Sequence, residues 1–211
     1  MDNQMDKNFY LNSDNWIGGF YELSIEYHPA GNDKRINDAL FALKASRCFH
    51  GLWAEKKDFQ KPAVSLPVAI EDASVRSFYG MISRDPGEEE LPCMITVTRI
   101  EGESDWLDIS IPQAVLEKRF RYRYPLTIEE NHWLMAIHEI YEDLAESIYL
   151  KSPFDLAMIG EEITAETTQK ELTVEFMENK EYIIFILPNR LVDRLGMNGS
   201  TPIFSNRLRI F

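Results

Sequence analysis

In Phe20-Tyr21-Glu22-Leu23-Ser24-Ile25-Glu26-Tyr27-His28, apolar and polar residues alternate from Tyr21 onward. Successive residues of a strand point to opposite faces. Tyr21, Leu23, Ile25 and Tyr27 therefore share one face, and Glu22, Ser24, Glu26 and His28 share the other. The stretch reads as a half-buried strand of an antiparallel sheet whose carboxylate face is wet. Pro29-Ala30-Gly31-Asn32 ends it. Asp33 then opens a helix to about Arg47, with Ile36, Ala39, Leu40 and Leu43 on one stripe. Residues 48–76 are the least legible, and Pro62 and Pro67 exclude a helix interior there.

A second pattern extends the reading. Met81-Ile82, Thr96-Val97, Trp106-Leu107 and Ile111-Pro112 are echoed by Met158-Ile159, Thr173-Val174, Tyr182-Ile183 and Leu187-Pro188. The spacing predicts a duplicated unit of three strands, then Pro, then a short helix. In the first copy the strands fall near 77–84, 93–100 and 106–111, with a solvated turn at Asp85-Pro86-Gly87. In the second they fall near 154–163, 171–177 and 182–187, with a tight turn at Asn179-Lys180 and a helix cap at Gly196. A last strand spans 203–211. One long helix precedes the second copy, from Thr127 or Ile128 to Leu150, with Thr127 and Glu130 as a capping box. The expected fold is α+β, with mainly antiparallel sheet, one long helix and an internally duplicated β-β-β-α unit. Residues 1–211 are expected to form one domain of two similar halves, about 20–120 and 121–211, with 1–15 a flexible end.

The 211 residues carry a net charge of −13, unevenly placed. Between Glu129 and Glu178 stand thirteen acidic residues and two basic ones, Lys151 and Lys170. Such a field repels nucleic acid and anionic lipid and favours a basic partner. The absence of a long apolar run and of a signal-like start gives the expectation of a soluble cytoplasmic protein. In that compartment Cys48 and Cys93 are two reduced thiols.

No phosphate loop, nucleophile elbow, calcium loop or zinc pair is present, so no cofactor or metal is assigned. The long helix carries the densest titratable group. His138 and Glu142 stand one turn apart, with Glu139, Asp143 and Glu146 beside them. Glu22, Glu26 and His28 form the second candidate group, in a row on the first strand. Lys118 to Tyr124 interleaves cations with aromatic rings, a pattern also used by single-strand nucleic acid sites, but seven residues in an acidic chain point instead to a place near the acidic helix that follows or to a favourable cap on the short helix. Trp16, ahead of Gly18-Gly19, is a candidate exposed hot spot.

The sequence thus reads first as a non-enzymatic acidic protein that engages a basic protein through residues 129–178. The alternative is a small-molecule binder or enzyme with an acid/His site in a cleft between the halves. A homo-oligomer built on an exposed sheet edge is the third reading.

Overall fold

The computed structural model describes residues 7–59, 61–85, 90–197 and 207–211. Its elements run α1 (Lys7–Leu11), β1 (Phe20–Tyr27), α2 (Asp33–Ala45), β2 (Phe49–Trp53), β3 (Val75–Ile82), β4 (Leu91–Arg99), β5 (Asp105–Pro112) and α3 (Gln113–Arg119). They continue α4 (Leu134–Lys151), β6 (Leu156–Glu161), α5 (Val174–Glu178), β7 (Ile184–Pro188), α6 (Asn189–Leu195) and β8 (Leu208–Ile210). All eight strands join one sheet in the order β2-β3-β4-β5-β1-β6-β7-β8, and every neighbouring pair is antiparallel. The first strand in sequence is therefore central. It pairs with β5 on one side and β6 on the other, so it joins the N-terminal and C-terminal parts of the sheet.

The apolar face of β1 meets α2 and α4. Leu23, Ile25 and Tyr27 pack there with Ile36, Leu40, Leu43, Tyr141, Leu144 and Ile148. Each such aliphatic side chain stabilises the fold by roughly 1.5–3 kcal/mol when fully buried. The helix over the first half is legible from its stripe; its cap is Asn32, whose side chain accepts from the Arg35 amide. Two helices of thirteen and eighteen residues cover this face, one at the expected Asp33 start and one ending near Leu150, so a single long helix is not confirmed. The longer one also starts later than expected. Thr127 does accept from the Glu130 amide, at 3.4 Å, but that bond closes a turn, and α4 begins only at Leu134.

The carboxylate face of β1 is not wet. Glu22, Ser24 and Glu26 are buried. Residues 162–173, α5 and α6 cross this face and pack Ile163, Leu172, Met177, Leu191 and Val192 on Trp106, Met158 and Phe185. At the β2–β3 end the same face is closed by a second cluster of Tyr10, Trp53, Phe59 and Met81. Tyr10 is fully buried and stacks on Phe59, so residues 7–15 are anchored rather than frayed.

The duplication is not confirmed. The strand–Pro–helix joint does recur: Pro112 and Pro188 cap α3 and α6 with φ/ψ of −62/136° and −60/146°. Gly196 ends α6 in the left-handed conformation at φ +68°, as its position predicts. The three-strand unit does not recur. Thr96-Val97 lies in β4, whereas Thr173 caps a helix and Val174 begins it. The Thr173 side chain accepts from the Phe176 amide, and that local bond selects helix over strand. Asn179 consequently ends α5 instead of turning a hairpin. The expected last strand is seen as β8, with 203–206 outside the described residues, as are Pro86 and Gly87 of the expected acidic turn. No helix among the described residues is long and apolar enough to cross a membrane.

The helical assignment of 174–178 is testable. Thr173→Ala removes the cap and lowers stability by about 1 kcal/mol. Chemical denaturation checks this, and an unchanged or raised midpoint contradicts the helix.

Candidate functional site

The sequence-selected acidic and histidine residues separate into three places. Glu22 and Glu26 lie on the buried far face of the sheet, with His28 at the edge of that face. Glu22 Oε1 accepts from the Ile163 amide (2.8 Å), the Thr164 amide (2.9 Å) and the Thr164 hydroxyl (3.0 Å), while Ser110 donates to Oε2 (3.0 Å). Glu26 accepts from the Gln169 amide (2.6 Å) and the Ser104 hydroxyl (2.7 Å). These two carboxylates hold residues 163–169 on the sheet like a strap. Glu162 and Ala165 bracket the Glu22 contacts with φ of +49° and +55°. Non-glycine residues reach such angles only where the surroundings enforce them.

Asp108 completes the buried acidic group. Ser24 donates to it at 2.6 Å. Burial, and next the nearby charge of Glu22, push its pKa up to about 7, against the bonds from Ser24 and Thr164. Burial likewise raises Glu26. A signal for Asp108 was present in the sequence, since Asp108 and Ser110 alternate with Leu107, Ile109 and Ile111. His28 approaches this group only through Ser104, at 3.2 Å from Nδ1.

The acidic ridge of α4 lies on the other face. Glu139 pairs with Arg84 (2.9 Å) and Asp143 with Arg47 (3.4 Å). Glu142 is raised by burial, then by Glu139 and Asp143. The ridge is thus partly discharged by its own neighbours. Cys48 packs beneath it, with its thiol raised by burial.

His138 stands apart from both groups, at the N-terminal end of α4. Its Nε2 lies 2.6 Å from Tyr21 Oη, and the rings stack at 14°. Tyr141 in turn donates to the Tyr21 carbonyl at 2.8 Å. Burial pushes the His138 pKa down to about 4. Because β1 sends Tyr21 and Glu22 to opposite faces, no single cleft combines His138 with Glu26 and His28.

His138 and Tyr21 floor a cleft of about 530 Å³ rimmed by Glu129, Glu130 and Glu181. A second cleft of about 310 Å³ adjoins it through the shared Pro125, Leu126 and Tyr182, and carries Glu161, Glu162 and Glu166. The two form one groove at the sheet end where β6 leaves and β7 enters. Tyr124 and Tyr182 stand on it 80% and 63% exposed. Among the described residues, Lys180 is the only cation lining either cleft, and it is bound to Glu166. Glu130 pairs with Arg123 at 3.2 Å. Glu129, Glu161, Glu162 and Glu181 have no ion-pair partner among the described residues. Burial, then Glu162, raise Glu161. Sequence reasoning missed Glu181 and Tyr182, which line the same cleft as Glu129 only through the fold.

The remaining sequence candidates serve packing. Phe120 stacks on Trp133 at 4.6 Å, Arg119 lies over the Phe9 ring at 3.9 Å, and Lys118 donates to Asn15. Trp16 is half-buried, and its ring nitrogen donates to the Tyr10 carbonyl. No three His, Cys, Asp or Glu side chains gather as a metal group among the described residues. No family model, no curated protein and no solved structure matches this chain.

The two shifted groups give opposite pH dependences. Asp108 binds its proton up to about pH 7 in the fold but only to about 3.8 when unfolded. Its contribution is fully present below the lower value and is lost as pH rises through the upper one. Asp108→Asn therefore stabilises more at pH 8 than at pH 5, with a difference on the order of 2 kcal/mol. His138 is neutral in the fold above about 4 but protonates near 6.5 when unfolded. Its contribution is present above the higher value and lost as pH falls through the lower one. His138→Gln flattens the stability profile across that window. Thermal melts across pH check both, and parallel profiles for variant and parent would contradict the assignments.

Proposed function

We propose that the protein is a non-enzymatic docking module for a basic protein segment, bound in the acidic groove beside Tyr124 and Tyr182. The observation that carries this reading is that, among the described residues, six carboxylates converge on one groove whose only lining cation is already paired. The acidic segment 129–178 contributes from two places: Glu129 and Glu130 from before α4, and Glu161 at the end of β6 with Glu162 and Glu166 after it. Clustered carboxylates attract a cationic partner over several ångströms and raise its association rate. The exposed tyrosines then supply apolar area and ring faces for Lys or Arg side chains. The α4 ridge carries less weight, because Arg47 and Arg84 neutralise part of it.

A hexa-arginine peptide is a direct probe. Joint replacement of Glu129, Glu161, Glu162 and Glu181 by Gln weakens it by about a hundredfold at low salt, at roughly 1 kcal/mol or less per partly exposed charge. Replacing Glu139 and Glu146 by Gln and Asp143 by Asn changes it much less. Calorimetric titration reads both variants. Equal losses would move the site to the ridge, and no loss in either would end the docking reading.

A further inference from the structure

Cleft charge alone would bind any polycation, but the floor of the larger cleft carries a neutral, directional group. His138 lines that cleft while only 7% exposed. Its Nε2 meets the Tyr21 hydroxyl at 2.6 Å. Burial and the nearby Glu161 keep Tyr21 protonated, and His138 is the only acceptor its hydroxyl meets among the described residues. The hydroxyl therefore donates and Nε2 accepts. A neutral imidazole that accepts at Nε2 carries its proton on Nδ1. The only hydrogen bond of the His138 ring among the described residues is the one at Nε2, so the Nδ1–H has no protein acceptor there. The side chain is nine-tenths buried, yet this donor is not sealed off, so it is satisfied by water or by what enters the cleft.

We propose that His138 Nδ1–H donates to a backbone carbonyl of the docked basic segment, so that the larger cleft recognises peptide and not only positive charge. The inference rests on the docking reading above. A carboxylate ligand would also accept from Nδ1, but Glu129, Glu130 and Glu181 stand on the rim and repel it. A main-chain carbonyl is a neutral acceptor. In an extended basic peptide it lies between cationic side chains, just as the His138 donor lies between carboxylates. The Tyr21 bond fixes the tautomer, and the ring stack fixes the direction of the donor. Tyr21 is thus a positioning residue, and His138 touches the ligand.

Two probes separate peptide from charge. Acetyl-tri-arginine-amide has cations and carbonyls; spermine has cations and no carbonyl. Both are titrated into the full chain at low salt, with imidazole nitrogen resonances recorded alongside calorimetry. The free protein is expected to show His138 protonated at Nδ1, and the peptide, but not spermine, to shift that resonance. His138→Phe weakens the peptide about tenfold, the worth of one such bond, and leaves spermine within about twofold. Tyr21→Phe keeps the ring in the core and releases the tautomer, giving a smaller loss for the peptide alone. This second variant keeps the test open if His138→Phe fails to fold. Equal losses for both probes, or a proton on Nε2 in the free protein, overturn the inference while the docking reading stands. A parent protein that binds neither probe overturns the docking reading and this inference with it.

Discussion

The buried carboxylate of Glu22 is the constraint on which the far side of this molecule depends. It sits on the central strand, 4% exposed, and takes hydrogen bonds from two amides and two hydroxyls. A charge in a protein interior is tolerated only when its lone pairs are satisfied this way. Three of the four donors come from Ile163 and Thr164, so meeting the demand of Glu22 brings the strap down onto the sheet. Glu26 repeats the device at Gln169. The strap then covers the face that alternation alone would leave to water, and it delivers Ile163 and Leu172 to the second core.

The same constraint shapes the groove. Glu161 ends β6, and Glu162 and Glu166 belong to the segment that Glu22 and Glu26 pin. Their approach to Glu129 and Glu181 is therefore fixed from inside the fold. Glu161 is shifted upward first by burial and then by the neighbouring charge of Glu162, and natural folds accept such costs where a site requires them. On α4, by contrast, Arg47 and Arg84 relieve the acidic ridge. The difference between a relieved and an unrelieved acidic surface is the ground for proposing the groove as the docking site.

Much of the fold was legible in local pattern. The alternation of 20–28, the stripe of Ile36, Leu40 and Leu43, the two proline joints and Gly196 all report local geometry, and the structure reproduces each. Alternation assigns side chains to a face but says nothing of what covers it. The cover for Glu22 arrives about 140 positions later in sequence, so its burial was not readable. Thr173 misled for a related reason: a Thr-Val pair suits a strand, and only the capping bond to Phe176 decides for a helix. The groove escaped because its rim draws on chain before α4, after β6 and before β7, and no spacing rule links Glu129 to Glu181. Helical spacing sets His138 one turn from Glu142, but the partner it meets is Tyr21, across the fold.

Amide hydrogen exchange of Ile163, Thr164 and Gln169 tests the central claim most directly. These residues lie outside every strand and helix, so ordinary loop amides at these positions would exchange rapidly. Bonded to buried Glu22 and Glu26, they are predicted to exchange as slowly as amides of the flanking strand β6. Exchange at the rate of an open loop would show that the carboxylates do not hold the strap, and would remove the wall on which the groove is built.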